Sequence, residues 1–513
     1  MISISNTTAV KGIEGIEVKV EVDVGRGLPS FNIVGLGDTA TKEASDRVKS
    51  GLLNSGFDYP IGRIVVNLSP ASVRKKGSHF DMAIACGILA SMKVIKRERL
   101  SRKLFIGEMS LDGKFVPVSG VLPMIKGIIE NNDFDEIFLP DMNCKEAFLA
   151  LRDKEIKIVA VSSARELVLA INDSKNERIF SDNNIIGVED EYGELDYKDV
   201  RGHFSSKEAI TIAVSGGHGL LMIGSPGTGK SMLAKRIPTI LPPMTTEEKL
   251  QTSMIYSLIG ELTDERPIIT SRPFRQLNSR ATEVTILGGG IEPLPGEISL
   301  SHNGILFIDE FLEFDRKQIE LLRKPMEDKK ITIVRKGVPY TFPADFSLVA
   351  ATNPCKCGYL GDPDRPCRCT QSEIENYRSR LSGPIADRID MCIEIPKVNY
   401  DSLVGVESSS SLEMRERVVE ARKLQSKRFE GLPFNVNAKI DERHIKEFCY
   451  LGRKENEFME KAYAKYYLSP RRYHKVLKLA RTLADLERKH DIDIDHLAGA
   501  LNYTRFFDIY ERG

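Results

Sequence analysis

Apolar and polar residues alternate strictly in "IEVKVEVDV", residues 16–24, a period of two that predicts a half-buried strand. "RIVVNLS" (63–69) and "EIFLP" (136–140) are short apolar runs, also predicted as strands. "KLFIGEMSLDGKFVPVSG" (103–120) predicts a hairpin that turns at Asp112–Gly113. "DMAIACGILASM" (81–92) is apolar on all sides, the pattern of a buried helix. Strands and helices mixed in this way predict an α+β domain over residues 1–172. The chain then turns polar and acidic, and 173–199 reads as a linker. Strongly apolar strands and Gly-rich turns return over 200–398, an α/β pattern. "VESSSSLEM" (406–414) marks a second soft boundary, and the last region, 399–513, is helical in pattern, as in "RRYHKVLKLARTLADLERKH". The expected architecture is multidomain α/β, with no internal repeat of fixed period.

Composition narrows this picture without redirecting it. A chain of 513 residues is too long for one ordinary core, and 41% hydrophobic with 28% charged residues is typical of a globular protein. No apolar run reaches the length of about 18 residues that a membrane helix needs, and the N-terminus lacks the pattern of a secretory signal. The expected location is cytoplasmic, with no membrane partner. Lys plus Arg and Asp plus Glu number 73 each, so any polyanionic partner must be met by local basic loops.

The strongest chemical signal is "LLMIGSPGTGKSMLAKRI". An apolar strand enters Gly224, Ser225, Pro226, Gly227, Thr228 and Gly229, and a helix leaves from Lys230, Ser231 and Met232. This is G-x-x-x-x-G-K-[ST] in its strand–loop–helix setting, where backbone N–H groups and a helix N-terminus cradle phosphates. Lys230 is expected on the β and γ oxygens of ATP, and the Ser231 hydroxyl on Mg²⁺. Downstream, "GILFIDEF" ends an apolar strand in Asp309, suited to the Mg²⁺ shell, and Glu310, suited to activating a water. "FSLVAATNP" ends a third strand at Asn353, suited to positioning that water. Arg388 in "GPIADRID" and Arg471 in "LSPRRYHK" are candidates to meet charge building on the γ-phosphate, a task a neighbouring subunit can perform in trans.

The order of the phosphate loop, "GEISLSHNGILFIDE", "ATNPC", "GPIADRID" and "LSPRRYHKVLKLARTLADL" resembles the magnesium-chelatase-like AAA+ ATPases, and within them the ComM/YifB family. "VKVEVDVGRGLPSFNIVGLGDTATKEASDRVKSGLLNSGF" and "VNLSPASVRKKGSHFDMAIACGILAS" extend the likeness to nearly the whole chain. The resemblance implies a Lon-protease-like domain, related to ribosomal protein S5 domain 2, over 1–172; an AAA+ P-loop core with β-hairpin insertions over 200–398; and a C-terminal helical lid over 399–513. It further implies an ATP-driven hexameric helicase that moves DNA branches while incoming DNA recombines during natural transformation. A Lon-type protease would need a Ser–Lys pair. The alignment puts His79 at the serine, with Ser78 one place off, and Leu122 or Met124 at the lysine, so peptide hydrolysis is not expected.

"TILGGGIEPLPGEI" (285–298) falls where the family's helix insertion lies, and "KKITIVRKGVPYTFPA" (329–344) predicts two strands turning at Lys336–Gly337. Arg335 and Lys336 at that tip are candidate DNA-phosphate contacts, or simply solvated turn charges. The competing function is the ATPase motor of a magnesium-chelatase-type metal-insertion complex. Finally, "NPCKCGYLGDPDRPCRCT" gathers Cys355, Cys357, Cys367 and Cys369, half of the eight cysteines. Zinc ligation, redox pairing and ordinary loop chemistry all stand as readings, with one residue inside each pair rather than the usual two to four of zinc sites.

Overall fold

The computed structural model describes residues 2–130, 133–151, 154–181, 195–381, 383–398 and 408–512, with side chains described to residue 504. Of the expected linker, residues 182–194 lie outside the described residues, as do 399–407 across the expected start of the C-terminal region.

The N-terminal region forms a mixed seven-stranded sheet. Its strands are β1 (Ser3–Lys11), β2 (Glu14–Gly25), β3 (Ser30–Val34), β4 (Arg63–Ser69) and β5 (Lys103–Phe105). After a small hairpin of β6 (Glu108–Met109) and β7 (Phe115–Val116) come β8 (Glu136–Leu139) and β9 (Lys157–Ala160). The order across the sheet is β3-β4-β2-β1-β5-β8-β9. The alternation in β2 does what its period demands: Val18, Val20 and Val22 are fully buried. Each such burial is worth about 1.5–3 kcal/mol. Their cover is the helix Asp81–Ser91, buried from Asp81 to Ala90. The one charge in that helix, Asp81, is met by Arg47 Nε at 2.7 Å and by the backbone N–H of Met109.

A second sheet, wholly parallel, is built from β10 (Leu220–Ile223) and β11 (Phe274–Leu277). Between β11 and the next core strand lies a two-residue ribbon, β12 (Gly288–Gly289) with β13 (Leu294–Pro295). The core resumes with β14 (Ile305–Ile308), is interrupted by the hairpin β15 (Lys330–Arg335) and β16 (Val338–Pro343), and ends with β17 (Ser347–Thr352) and β18 (Met391–Glu394). The order is β11-β14-β17-β10-β18. Strands β10 and β14 are buried along their whole length, as expected for a parallel sheet covered on both faces. The hairpin β15–β16 turns at Lys336 (φ 50°) and Gly337 (φ 78°), two left-handed residues in the two-residue turn that the sequence pattern predicts.

The C-terminal helices pack beside this sheet. Ser411–Arg428 lies on the helix Phe204–Gly216, with Arg422 Nη2 on the Val214 carbonyl at 2.7 Å. Pro470–Leu486 seats Lys475 Nζ on the Ile389 carbonyl at 2.7 Å, just before β18. This layer therefore reaches the starts of the strands, the edge opposite the phosphate loop. The N-terminal sheet is joined to the second unit through helix Thr246–Leu258, where the Ser257 carbonyl accepts from Gly120 N–H at 3.0 Å. Glu292, beside β12–β13, is paired with Arg74 at 3.3 Å and Lys76 at 3.5 Å. Gly12, at the β1–β2 turn, comes so close to the β16 backbone that an added Cβ would lie 2.5 Å from the Thr341 carbonyl oxygen.

Candidate nucleotide site

Because the core strands are parallel, their C-terminal ends share one edge, the usual place for a ligand in an open α/β sheet. The register aligns Ile223 with Thr352 and Ile308 with Ala350, so the residues that follow each strand become neighbours. Gly224–Gly229 follows β10, Asp309 follows β14, and Asn353 follows β17. Gly227 and Gly229 sit at φ 80° and 87°, a left-handed conformation that favours glycine. A Cβ at Gly227 would meet nothing within 4 Å, so its left-handed backbone rather than crowding is what calls for glycine there.

Lys230 heads the helix that leaves the loop, and its ammonium is turned back into the cradle. It donates to the carbonyls of Gly224 (2.6 Å) and Ser225 (2.9 Å) and to Asn353 Oδ1 (3.2 Å). Burial lowers its pKa below the ordinary lysine range, with Asp309 and Glu310 opposing the shift. Ser231 Oγ donates to Asp309 Oδ2 at 2.6 Å, so one hydroxyl and one carboxylate stand together as hard oxygen ligands. Glu310 is exposed and held at φ 51°, an unusual conformation for a residue with a side chain. Such strain, of order 1–3 kcal/mol, is characteristic of functional sites. The donor set and the open loop fit ATP with Mg²⁺: Lys230 and the loop N–H groups for phosphate, Ser231 and Asp309 for the metal.

The structure thus brings together Lys230, Ser231, Asp309, Glu310 and Asn353. It keeps Arg388 and Arg471 apart from them. Met391 pairs with Leu220, so Arg388 lies before the start of β18, a strand length of about 13 Å from the loop at about 3.3 Å per residue. Arg388 is paired with Glu327 and donates to the Pro384 carbonyl at 2.6 Å. Arg471 opens the helix Pro470–Leu486 on the same edge, exposed, its neighbour Arg472 at 4.0 Å from Asp387 and its own charge helping to hold the Glu327 carboxyl low behind that of Arg388. Met232 is 41% exposed, on the solvent side of the phosphate-loop helix.

Arg335 and Lys336 are exposed at the tip of β15–β16. In the N-terminal region the Ser78 hydroxyl is taken up by Glu108, His79 Nε2 lies 2.8 Å from the Thr8 carbonyl, and Leu122 and Met124 are buried. Burial pushes the His79 imidazole down to about 4, so it stays neutral.

The four cysteines converge. Their sulfurs lie within 4.8 Å of one another, with Cys355–Cys357 at 3.4 Å, Cys357–Cys367 at 3.5 Å and Cys355–Cys367 at 3.7 Å. The residues between the two pairs touch the phosphate loop, which sequence reading did not anticipate. A Cβ on Gly358 would meet Pro226 at 2.7 Å, and the Asp362 carboxyl is held low by the Asp364 N–H and by the Ser225 hydroxyl. The available signal was a glycine straight after the second cysteine, followed by "DPD" in a loop that starts two residues past Asn353.

Comparison with known proteins covers most of the chain. Residues 196–403 match the family described as magnesium chelatase, subunit ChlI; residues 20–143 match subunit ChlI of Mg-chelatase; and 408–504 match the ChlI C-terminal region. The chain is 38% identical to competence protein ComM of Haemophilus influenzae, over 100% of this chain and 99% of that protein. It is 36% identical to the uncharacterized protein YifB of Escherichia coli, over 98% of this chain and 97% of that one. A 96-residue stretch is 34% identical to DNA replication licensing factor mcm-6 of Caenorhabditis briggsae, covering 19% of this chain and 11% of that one.

Proposed function

This chain belongs to the ComM/YifB family of magnesium-chelatase-like AAA+ ATPases, and on that premise we propose that it is a ring motor, hexameric with nucleotide, that moves DNA branches. Its setting is the cytoplasm, where it extends the joint as incoming single-stranded DNA recombines during natural transformation. The observation that carries the reading is the division of the site: Lys230, Ser231, Asp309, Glu310 and Asn353 meet at one edge of the sheet, while Arg388 and Arg471 face away at the other. A residue needed for hydrolysis but held a strand length away has its use in the next subunit.

In that arrangement Lys230 binds the β and γ phosphates, Ser231 and Asp309 hold Mg²⁺, Glu310 takes the proton of the attacking water, and Asn353 orients it. The metal's contribution when bound is to neutralise charge on the phosphates. Arg388 and Arg471 reach the γ-phosphate bound by the neighbouring protomer. The exposed tip of β15–β16 presents Arg335 and Lys336 to DNA phosphates in the pore, a contact that does not depend on base sequence. Likeness to a competence protein over the full length, and a short likeness to a DNA replication licensing factor, support DNA as the substrate. The N-terminal domain has the Lon-like fold without protease chemistry, because Ser78 is engaged by Glu108 and no lysine faces it among the residues the alignment points to. Its work is subunit packing or DNA contact.

The test is ATPase turnover with and without junction DNA, followed by unwinding of a three-strand or four-way junction. Junction DNA that neither binds nor stimulates turnover at low salt sinks the reading. The match to magnesium chelatase subunit ChlI favours a second reading, the motor of a metal-insertion complex. Turnover stimulated by a porphyrin-bearing partner and indifferent to DNA would select it.

A further inference from the structure

We propose that Cys355, Cys357, Cys367 and Cys369 bind one Zn²⁺, and that this zinc holds the strap between the cysteine pairs (residues 358–366) against the phosphate loop, so that zinc occupancy sets nucleotide affinity. The inference rests on the reading of the loop after β10 as the ATP site.

The geometry favours zinc over a disulfide. Tetrahedral zinc with Zn–S bonds of about 2.3 Å puts its sulfurs about 3.8 Å apart. Three of the six separations, 3.4, 3.5 and 3.7 Å, sit just inside that value and all six lie within 4.8 Å, whereas a disulfide needs about 2.05 Å. All eight cysteines are free thiols. The cluster is the one group of three or more His, Cys, Asp or Glu side chains, among the described residues, with ligand atoms close enough to share an ion. Backbone N–H groups point at the sulfurs, Cys357 N–H at Cys369 Sγ (3.3 Å) and Cys369 N–H at Cys367 Sγ (3.4 Å), donors that favour thiolate. Gly358, at φ 86°, turns the chain directly after Cys357. The remaining cysteines, Cys86, Cys144, Cys392 and Cys449, are buried and belong to no such cluster among the described residues.

The strap explains what a metal would be for. Residues 358–366 include no buried apolar side chain, so packing gives them little to hold on to. Their fixed contacts are polar: Asp364 with Lys397 beyond β18, and Arg365 Nη1 with the Tyr359 hydroxyl at 2.9 Å. A segment of this kind keeps one shape when cross-linked at both ends, and structural zinc sites supply folding free energy directly. Two routes lead from the cluster to the nucleotide. Cys355 is two residues from Asn353, whose Oδ1 accepts from Lys230. Gly358 abuts Pro226, and Asp362 lines the same cleft as Ser225. Between strap and phosphate loop runs a cleft of about 680 Å³, with Ser225 and Thr228 on one wall and Leu360 and Asp362 on the other. Release of the strap removes one wall.

The experiment uses the full chain purified without added metal. Zinc per chain is measured by mass spectrometry. Binding of a fluorescent ATP analogue is then titrated before zinc removal by a mercurial reagent, after it, and again after thiol regeneration and Zn²⁺ addition. The expected result is one zinc per chain, at least tenfold weaker nucleotide binding once zinc is gone, and recovery with Zn²⁺ but not with Mg²⁺. Asp362→Ala is the companion variant, since it leaves every ligand in place: zinc stays at one per chain while nucleotide affinity falls a few-fold. Absence of zinc from the purified protein overturns the metal site. Zinc at full occupancy, with nucleotide affinity unchanged by its removal and by Asp362→Ala, overturns the coupling alone. A zinc-replete protein that binds no ATP analogue instead refutes the underlying nucleotide site.

Discussion

The two edges of the parallel sheet are made of the same strands and carry different chemistry. At the ends of β10, β14 and β17 the polar groups are engaged with one another: Lys230 with Asn353, Ser231 with Asp309. At the starts of those strands Arg388 is held by the Pro384 carbonyl and the Glu327 carboxylate, Arg471 stands exposed on the same edge, and Glu327 belongs to neither the phosphate loop nor the acidic pair. The first edge has what is needed to bind a nucleotide, and neither Arg388 nor Arg471 of its own chain lies there. The second carries those two arginines. In the proposed ring, the second edge of one copy completes the first edge of the next, and the separation of the two edges is what supports that reading.

Substitutions at each edge should therefore fail differently. The largest effect is expected at the first edge: Lys230→Ala removes nucleotide binding and brings turnover to background, measured by analogue binding and phosphate release. Arg388→Ala should lower turnover by about 10³-fold or more with ATP affinity nearly unchanged. Mixing it with Lys230→Ala subunits should restore part of the activity, because one variant contributes an intact arginine and the other an intact phosphate loop. No rescue at any mixing ratio would break the comparison by placing the arginine's role within its own chain. Glu310→Gln should retain ATP and lose about 10²–10⁴-fold in turnover, the range for a general base. The smallest effect lies outside both edges. Arg335→Ala with Lys336→Ala should leave basal ATPase intact and reduce the steepness of the salt dependence of single-stranded DNA binding by about 0.7 per lost phosphate contact. An unchanged salt slope would mean that the hairpin tip does not touch DNA.

Much of this was readable along the chain. The period of two in β2, the apolar run of the helix Asp81–Ser91 and the Lys336–Gly337 turn are local patterns, governed by residues within one element, and each appears where the pattern puts it. The phosphate loop was equally legible because its strand, glycines and helix are contiguous. Other features had no local signature. The Ser78 hydroxyl is engaged by Glu108, thirty residues on, a partner that no local pattern announces. The bond between Glu292 and the Arg74–Lys76 pair joins segments more than two hundred residues apart.

The sequence by itself determined which chemistry the chain carries: a lysine and hydroxyl after Gly-rich turns, an acidic pair after an apolar strand, two arginines and four thiols. Side-chain type, local period and turn geometry depend on neighbours in sequence, and those are always on the page. Only the tertiary structure decided which of these groups meet. Parallel register put Asn353 beside the phosphate loop and Arg388 a strand away from it. The same register brought a strap between two cysteine pairs onto Pro226, a contact made by the fold's close packing and invisible to any spacing rule.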